Sequence, residues 1–286
     1  MAEHPFSFAE LFDAPLPRLK VVDVGALPVE GHEEIYQGLF DRDLCDVIAF
    51  EPDAQLCAKL NAESDGRRIF LPEFVGDGEA GTFRVCKAPM TSSLYEPNSA
   101  LLDLFQNISA LLEVVSRETV QTVRLDTLAS VSGTDFLKLD VQGAERAVIE
   151  GATDTLKGVS VVHTEVEFVP LYEGQPLFAE VDQALRHNGF LFHKFLGFAG
   201  RAFKLAMVAE QPSAMLSQML WSEAVYVKDF TLLSRLPSDQ LLKMARNSCI
   251  NRRRRPIAEA SSMRAAIRRI RVSRRDHETT GGIATR

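Results

Sequence analysis

The chain has 286 residues, 46% of them hydrophobic, and a formal net charge of −7 at pH 7. That length holds one large α/β domain or two small ones, the apolar fraction suits a globule with a sizeable core, and no apolar run approaches the roughly 18 residues of a membrane-spanning helix. The charge is uneven: residues 246–286 carry 12 Arg against 3 acids, which leaves 20 basic and 36 acidic residues before them, and so acidic a body is a poor non-specific partner for nucleic acid.

In chain order, residues 1–18 read as a lead-in with a short helix around Phe8–Phe12. They lack the basic start and apolar stretch of a signal peptide, so none is expected. Leu19–Val24, LKVVDV, is a compact β-branched run that closes on Asp23-Val24-Gly25. Gly at that point lets the backbone turn tightly and approach a ligand, and a following helix can aim its amides there. The loop ALPVEGHEEIYQGLF carries no glycine at Leu27 or Val29. A pyrophosphate needs that close approach, so an NAD-type dehydrogenase loses ground.

Val47–Phe50 predicts a second strand, followed by Glu51, an acid placed to accept both hydroxyls of a ribose. Pro52 and Asp53 start a helix over Ala54–Asn61. Ile69–Val75 reads as a third strand with Gly76-Asp77-Gly78 as its turn. Thr82–Lys87 reads as one strand of a hairpin, Met90–Asn98 as a polar loop with Ser92 and Ser93, and Leu101–Val115 as an apolar helix. Val120–Leu125 predicts a strand, with a short helix beginning at Asp126–Ala129.

Asp135–Gly151, DFLKLDVQGAERAVIEG, is the most informative stretch. Phe136, Leu137 and Leu139, interrupted only by Lys138, suit a strand buried on both faces. The run ends in Asp140; after Gly143 an amphipathic pattern reads as a helix that stops near Gly151. Asp140 there is either a cleft-facing acid or a cap for that helix. Val159–Phe168 reads as the next parallel strand, its end loaded with His163, Glu165 and Glu167 on one face by alternation. Those residues suit a base cluster for a hydroxyl proton, a metal site or a polar strand edge. Phe178–His187 reads as an amphipathic helix, and Phe190–Phe195 and Ala224–Val227 as two late strands. The four cysteines, Cys45, Cys57, Cys86 and Cys249, form no CxxC pair, so neither a zinc site nor a disulfide framework is expected, and a reducing cytoplasm is the default.

The order predicts a single doubly wound, Rossmann-like α/β domain over residues 19–245. It has a seven-stranded, mostly parallel sheet and an inserted hairpin and helix. Residues 246–286 are expected to form a basic, flexible tail. In such sheets ligands bind outside the carboxyl ends of the strands.

Asp23-Val24-Gly25-Ala26, Phe50-Glu51-Pro52, Ser92-Ser93-Leu94 and FLKLDVQGAE over Phe136–Glu145 stand in the order seen in FkbM-type methyltransferases, and the chain resembles that family over about Leu19–Asp229. The signature is usually written with Glu where Gln142 stands, Val29 replaces a usual second glycine, and the region from about Arg246 departs from the family. The resemblance implies a class I fold that uses S-adenosylmethionine to methylate hydroxyl groups of small molecules or glycans. By position it implies cofactor roles for Asp23, Gly25, Ala26, Glu51 and Pro52, an adenine edge at Gly76 and Asp77, and Asp140 beside the sulfonium. Asp140, Glu167 and His163 are the expected proton acceptors, and no metal is assigned. The alternative from another class is a non-catalytic nucleotide- or ligand-binding module with an Arg-rich interaction tail.

Overall fold

The computed structural model describes residues 17–29, 31, 33–206, 214–235, 240–241 and 243–244. The expected helix near Phe8–Phe12 and the basic tail lie outside them. Among these residues ten strands and six α-helices follow in order. They are β1 (Leu19–Val24), α1 (Gln37–Phe40), β2 (Cys45–Phe50), α2 (Ala54–Glu63), β3 (Arg68–Leu71), β4 (Phe74–Val75), β5 (Ala80–Cys86), α3 (Ser99–Leu102), β6 (Val114–Val123), β7 (Phe136–Leu139), α4 (Glu145–Glu150), α5 (Thr155–Gly158), β8 (Val161–Glu167), α6 (Phe178–His187), β9 (Phe190–Ala199) and β10 (Trp221–Lys228).

Seven strands form one sheet in the order β3-β2-β1-β7-β8-β10-β9. The first five run parallel, and β10 is antiparallel to both of its neighbours. The chain winds outward from β1 to β3 and resumes on the other side of β1 with β7, so the switch point lies between β1 and β7. That is where an open α/β sheet receives ligands. The sheet is covered on both faces. Val22, Val24, Leu137, Leu139 and Val162 pack with Val148 and Ile149 of α4 and with Val181 and Leu185 of α6. Leu19, Val21, Val47, Ala49 and Phe136 pack instead with Tyr36, Leu39 and Cys57, on the side of α1 and α2. Coverage on both sides explains why β7 is buried along its whole length and reads as a continuous run.

Two expectations need correction, and a third is borne out with a longer connection. The strand expected over Ile69–Val75 is two strands, because Pro72 has no amide for the ladder. β3 ends at Leu71 in the main sheet, and β4 joins a second sheet of order β4-β6-β5. The hairpin strand expected over Thr82–Lys87 is β5, which pairs antiparallel with β6, Ala80 opposite Gln121 and Cys86 opposite Val114, across a long connection. The helix expected over Leu101–Val115 is the single turn α3. After it the chain turns at Asn107, whose φ of 58° leaves the helical region, and Val114 and Val115 already belong to β6. Leu102, Phe105, Ile108 and Leu112 are buried at near-helical spacing because successive turns aim them at Leu171, Tyr172 and Leu220. Apolar spacing alone does not separate that arrangement from a helix.

The last described residues tie back to the domain. Gln240 Nε2 donates to the carbonyls of Lys157 at 3.2 Å and Gly158 at 3.3 Å, and Lys243 Nζ lies 2.9 Å from Asp135 Oδ1. A chain ended after Met244 keeps these ties and loses mainly charged and polar sequence. Its melting temperature, read by calorimetry, is expected to stay within about 2 °C of the full chain, as for changes worth under about 0.5 kcal/mol. A drop of ten degrees would show that the tail packs on the domain.

Candidate active site

Strand register assembles the site from residues far apart in sequence. Asp23 sits opposite Ala49 and Lys138, Lys138 opposite His163, and His163 opposite Val225. Side chains of a strand return to the same face every second residue. The row two residues on is therefore Glu51, Gly25, Asp140, Glu165 and Glu223, on the same face and at the carboxyl ends of the parallel strands. The first row is buried, with the polar residues Asp23, Lys138 and His163 at its centre. The second lies at the strand ends around the switch point, where an open α/β sheet has its cleft.

In the buried layer the Asp23 carboxylate is fully engaged. Oδ2 accepts the Tyr36 hydroxyl at 2.5 Å, and Oδ1 accepts Lys138 Nζ at 3.1 Å. Lys138 Nζ also lies 3.3 Å from Glu34 Oε2. Asp23 is fully buried and Lys138 is 5% exposed. Burial alone would pull the ammonium down, but the carboxylates of Asp23, Asp140 and Glu34 outweigh it and hold the lysine well above its ordinary range. Burial, and then Asp23, likewise push the Tyr36 phenol up and keep it a donor. Glu34 and Tyr36 come from the loop after β1, so this network pins that loop to the sheet. His163 is buried on the same row, its Nε2 3.3 Å from Glu223 Oε2 and its Nδ1 without a hydrogen-bond partner.

On the second row, Gly25 has φ +86°, and a Cβ there would lie 1.8 Å from the Asp140 carbonyl oxygen. Only glycine permits the two strand ends to approach so closely. The Ala26 amide donates to the Phe50 carbonyl at 3.0 Å, and Glu51 Oε1 accepts the Asp53 amide at 2.9 Å. Burial raises the Glu51 carboxyl. Pro52 is half-buried beside it, and Asp53 caps α2 by accepting the amides of Gln55 and Leu56. Gly76 and Asp77 lie in the turn from β4 to β5. Gly76 is packed against Gly151 so closely that a Cβ on Gly151 would sit 2.3 Å from the Gly76 carbonyl. Asp77 is exposed, and its Oδ1 accepts the Glu79 amide at 3.0 Å.

Asp140 is half-buried and does not cap α4. The cap position is Ala144, and the Val141 amide is held by Glu145 Oε1 at 2.9 Å. The Asp140 carboxylate instead accepts Gln142 Nε2 at 3.0 Å. Around it stand Glu145 and Glu167, each 1% exposed, and Glu165. Burial first, and then the mutual proximity of these acids with Asp140, raises the carboxyls of Glu145, Glu165 and Glu167 above the usual range. Glu167 Oε2 is buried without a hydrogen-bond partner. Burial and like charge thus favour the protonated form of these carboxyls more than they would for an exposed acid. Among the described residues no group of three or more His, Cys, Asp or Glu has the geometry to hold a metal ion.

Sequence reasoning missed Glu34, Tyr36 and Gln142. Lys138 carried a signal, as the one charge inside an apolar strand. Tyr36 carried none, and Gln142 stood out only as a departure from the family signature, because their partners lie on other strands and loops. Ser93, expected as a loop hydroxyl, donates to the Gln142 carbonyl at 2.6 Å.

Comparison with known proteins gives three further findings. A family model described as the methyltransferase FkbM domain matches residues 23–192. A curated protein, the 2-O-methyltransferase NoeI of Sinorhizobium fredii, is 29% identical over 161 residues, which are 49% of this chain and 62% of that protein; the chain thus spans about three fifths of that relative. Among solved structures, magnesium protoporphyrin IX methyltransferase from Synechocystis with bound SAM is 11% identical. It overlaps 74% of this chain and 71% of its own at a TM-score of 0.37. A TehB-like SAM-dependent methyltransferase from Corynebacterium glutamicum is 12% identical, covering 77% and 86%, at 0.34.

Proposed function

The chain belongs to the FkbM methyltransferase family, and from that premise we propose that it methylates a hydroxyl group of a small molecule or glycan. S-adenosylmethionine is the cofactor; when bound, it supplies a methyl carbon made electrophilic by the attached sulfonium. The donor set of the cleft fits that molecule, which carries two positive groups and a ribose. One observation supports the reading above others: a row of carboxylates, Glu51, Asp140 and Glu165, lines the strand ends at the switch point with glycine between the first two. Glu51 keeps Oε2 for ribose hydroxyls while Oε1 holds the Asp53 amide, with Pro52 fixing the turn. Gly25 and Ala26 shape the backbone beside it, and Gly76 and Asp77 are assigned to the adenine edge. Asp23 acts from below, holding Lys138 and Tyr36 so that the loop after β1 stays in place.

The acceptor hydroxyl must lose its proton as the new C–O bond forms. Asp140 is the assigned acceptor of that proton, with Glu167 on the following strand and His163 behind it. Orientation of both partners in near-attack geometry supplies much of the remaining acceleration. The 2-O-methyltransferase that resembles half of this chain supports oxygen as the acceptor atom. Purified chain, given S-adenosylmethionine with a labelled methyl group and a panel of glycans and hydroxylated small molecules, is expected to place label in base-stable methyl ethers. Label found only on nitrogen or in base-labile esters would overturn the assignment.

Glu51→Ala removes acceptors for two hydroxyls. Charge-assisted hydrogen bonds contribute about 1.5–3 kcal/mol each, so S-adenosylmethionine should bind at least about tenfold more weakly, with far-UV circular dichroism unchanged. Equal affinities by calorimetry would remove Glu51 from the ribose site.

A further inference from the structure

Gln142 is where four segments meet. It follows β7 with φ +52°, a left-handed conformation that a residue with a side chain adopts only when its surroundings hold it there. Its carbonyl accepts the Ser93 hydroxyl from the segment after β5. Its Nε2 donates to Asp140 Oδ1 at 3.0 Å and to Glu165 Oε2 at 2.6 Å. Its Oε1 lies 3.0 Å from the Tyr172 hydroxyl, which also reaches the Thr91 carbonyl at 2.8 Å.

An amide nitrogen has two hydrogens and accepts nothing. Both carboxylate oxygens therefore meet it as acceptors. With both acids ionised, the reverse orientation would set the amide oxygen against two carboxylates, with no hydrogen to hold them together.

This matters because the surroundings press the other way. Glu165 is faced by Asp140 from the end of β7, Glu145 from α4, Glu167 from its own strand and Glu223 from β10. His163, one row below, is bonded to Glu223. The buried cation Lys138 is shared among Asp23, Asp140 and Glu34. Burial and like charge favour the protonated form of Glu165, whereas donation from an amide favours the ionised one.

We propose that Gln142 is a positioning residue that holds Asp140, the assigned proton acceptor, and Glu165 side by side as carboxylates. The proposal rests on the hydroxyl-methylation reading above, in which a strand-end carboxylate takes the acceptor's proton.

The test is a carbon-13 NMR titration of the full chain labelled at glutamate carboxyls, with the Glu165 resonance identified by its loss in E165Q. In Q142L, which removes both donors, the Glu165 midpoint is expected to rise by about one pH unit or more. In Q142E, close to isosteric, it should rise at least as far, because a carboxyl replaces the amide. Unmoved midpoints in the folded variants would overturn the proposal, and so would a lower melting temperature with the midpoint unmoved, which means scaffolding only. Calorimetry of the wild-type chain with S-adenosylmethionine tests the underlying reading separately: if nothing binds, that reading fails, while the titration still decides what Gln142 does.

Discussion

Lys138→Met is expected to destabilise the fold by about 3–5 kcal/mol, the usual consequence of removing one partner from a buried ion pair. Methionine fills much of the same volume, so the loss is electrostatic rather than a cavity effect. Asp23 lies fully buried beneath the cleft, and Lys138 is the cation 3.1 Å from its Oδ1. Without it, Asp23 keeps, among the described residues, the Tyr36 hydroxyl, and Glu34 loses the charge that draws its loop onto the sheet. Urea titration measures the loss. Adding Asp23→Asn to the variant should recover part of it, because an amide needs no counter-charge. A change below about 1 kcal/mol in Lys138→Met would show that water reaches the network and that the loop is held by other contacts.

The second large effect concerns turnover. Asp140→Asn is expected to lower it at least a hundredfold with the natural acceptor, within the roughly 10²–10⁴-fold that a positioned base contributes. The substitution separates basicity from scaffolding. Asparagine keeps an oxygen for the Gln142 amide, now 3.0 Å from Asp140 Oδ1, and α4 does not depend on Asp140 for its cap. Glu167→Gln, on the next strand, should lower turnover more than cofactor affinity. Single-turnover kinetics beside calorimetry reads both. Full turnover in Asp140→Asn would move the base elsewhere, with Glu167 and then His163 next to be tested.

Neighbouring residues and period determined much of this protein directly. The β-branched run LKVVDV, the buried run around Leu139 and the amphipathic repeat of Phe178–His187 became β1, β7 and α6, because local pattern and burial agree there. The acids at strand ends, Glu51 and Asp140, were legible for the same reason: once a strand is recognised, its last residue must lie at the sheet's carboxyl edge. The insertion was not legible. Leu102, Phe105 and Ile108 repeat like a helix, yet they are buried by successive turns against Tyr172 and Leu220, a choice made by what they pack on. Nor were the polar partners. Asp23 reads as a free strand-end acid until β7 is laid beside β1 and brings Lys138 opposite it. Gln142 reads as a turn residue until β8 and the Tyr172 loop supply Glu165 and a phenol. Charges and hydrogen bonds act over a few ångströms, and only the strand order decides which distant residues come within that range.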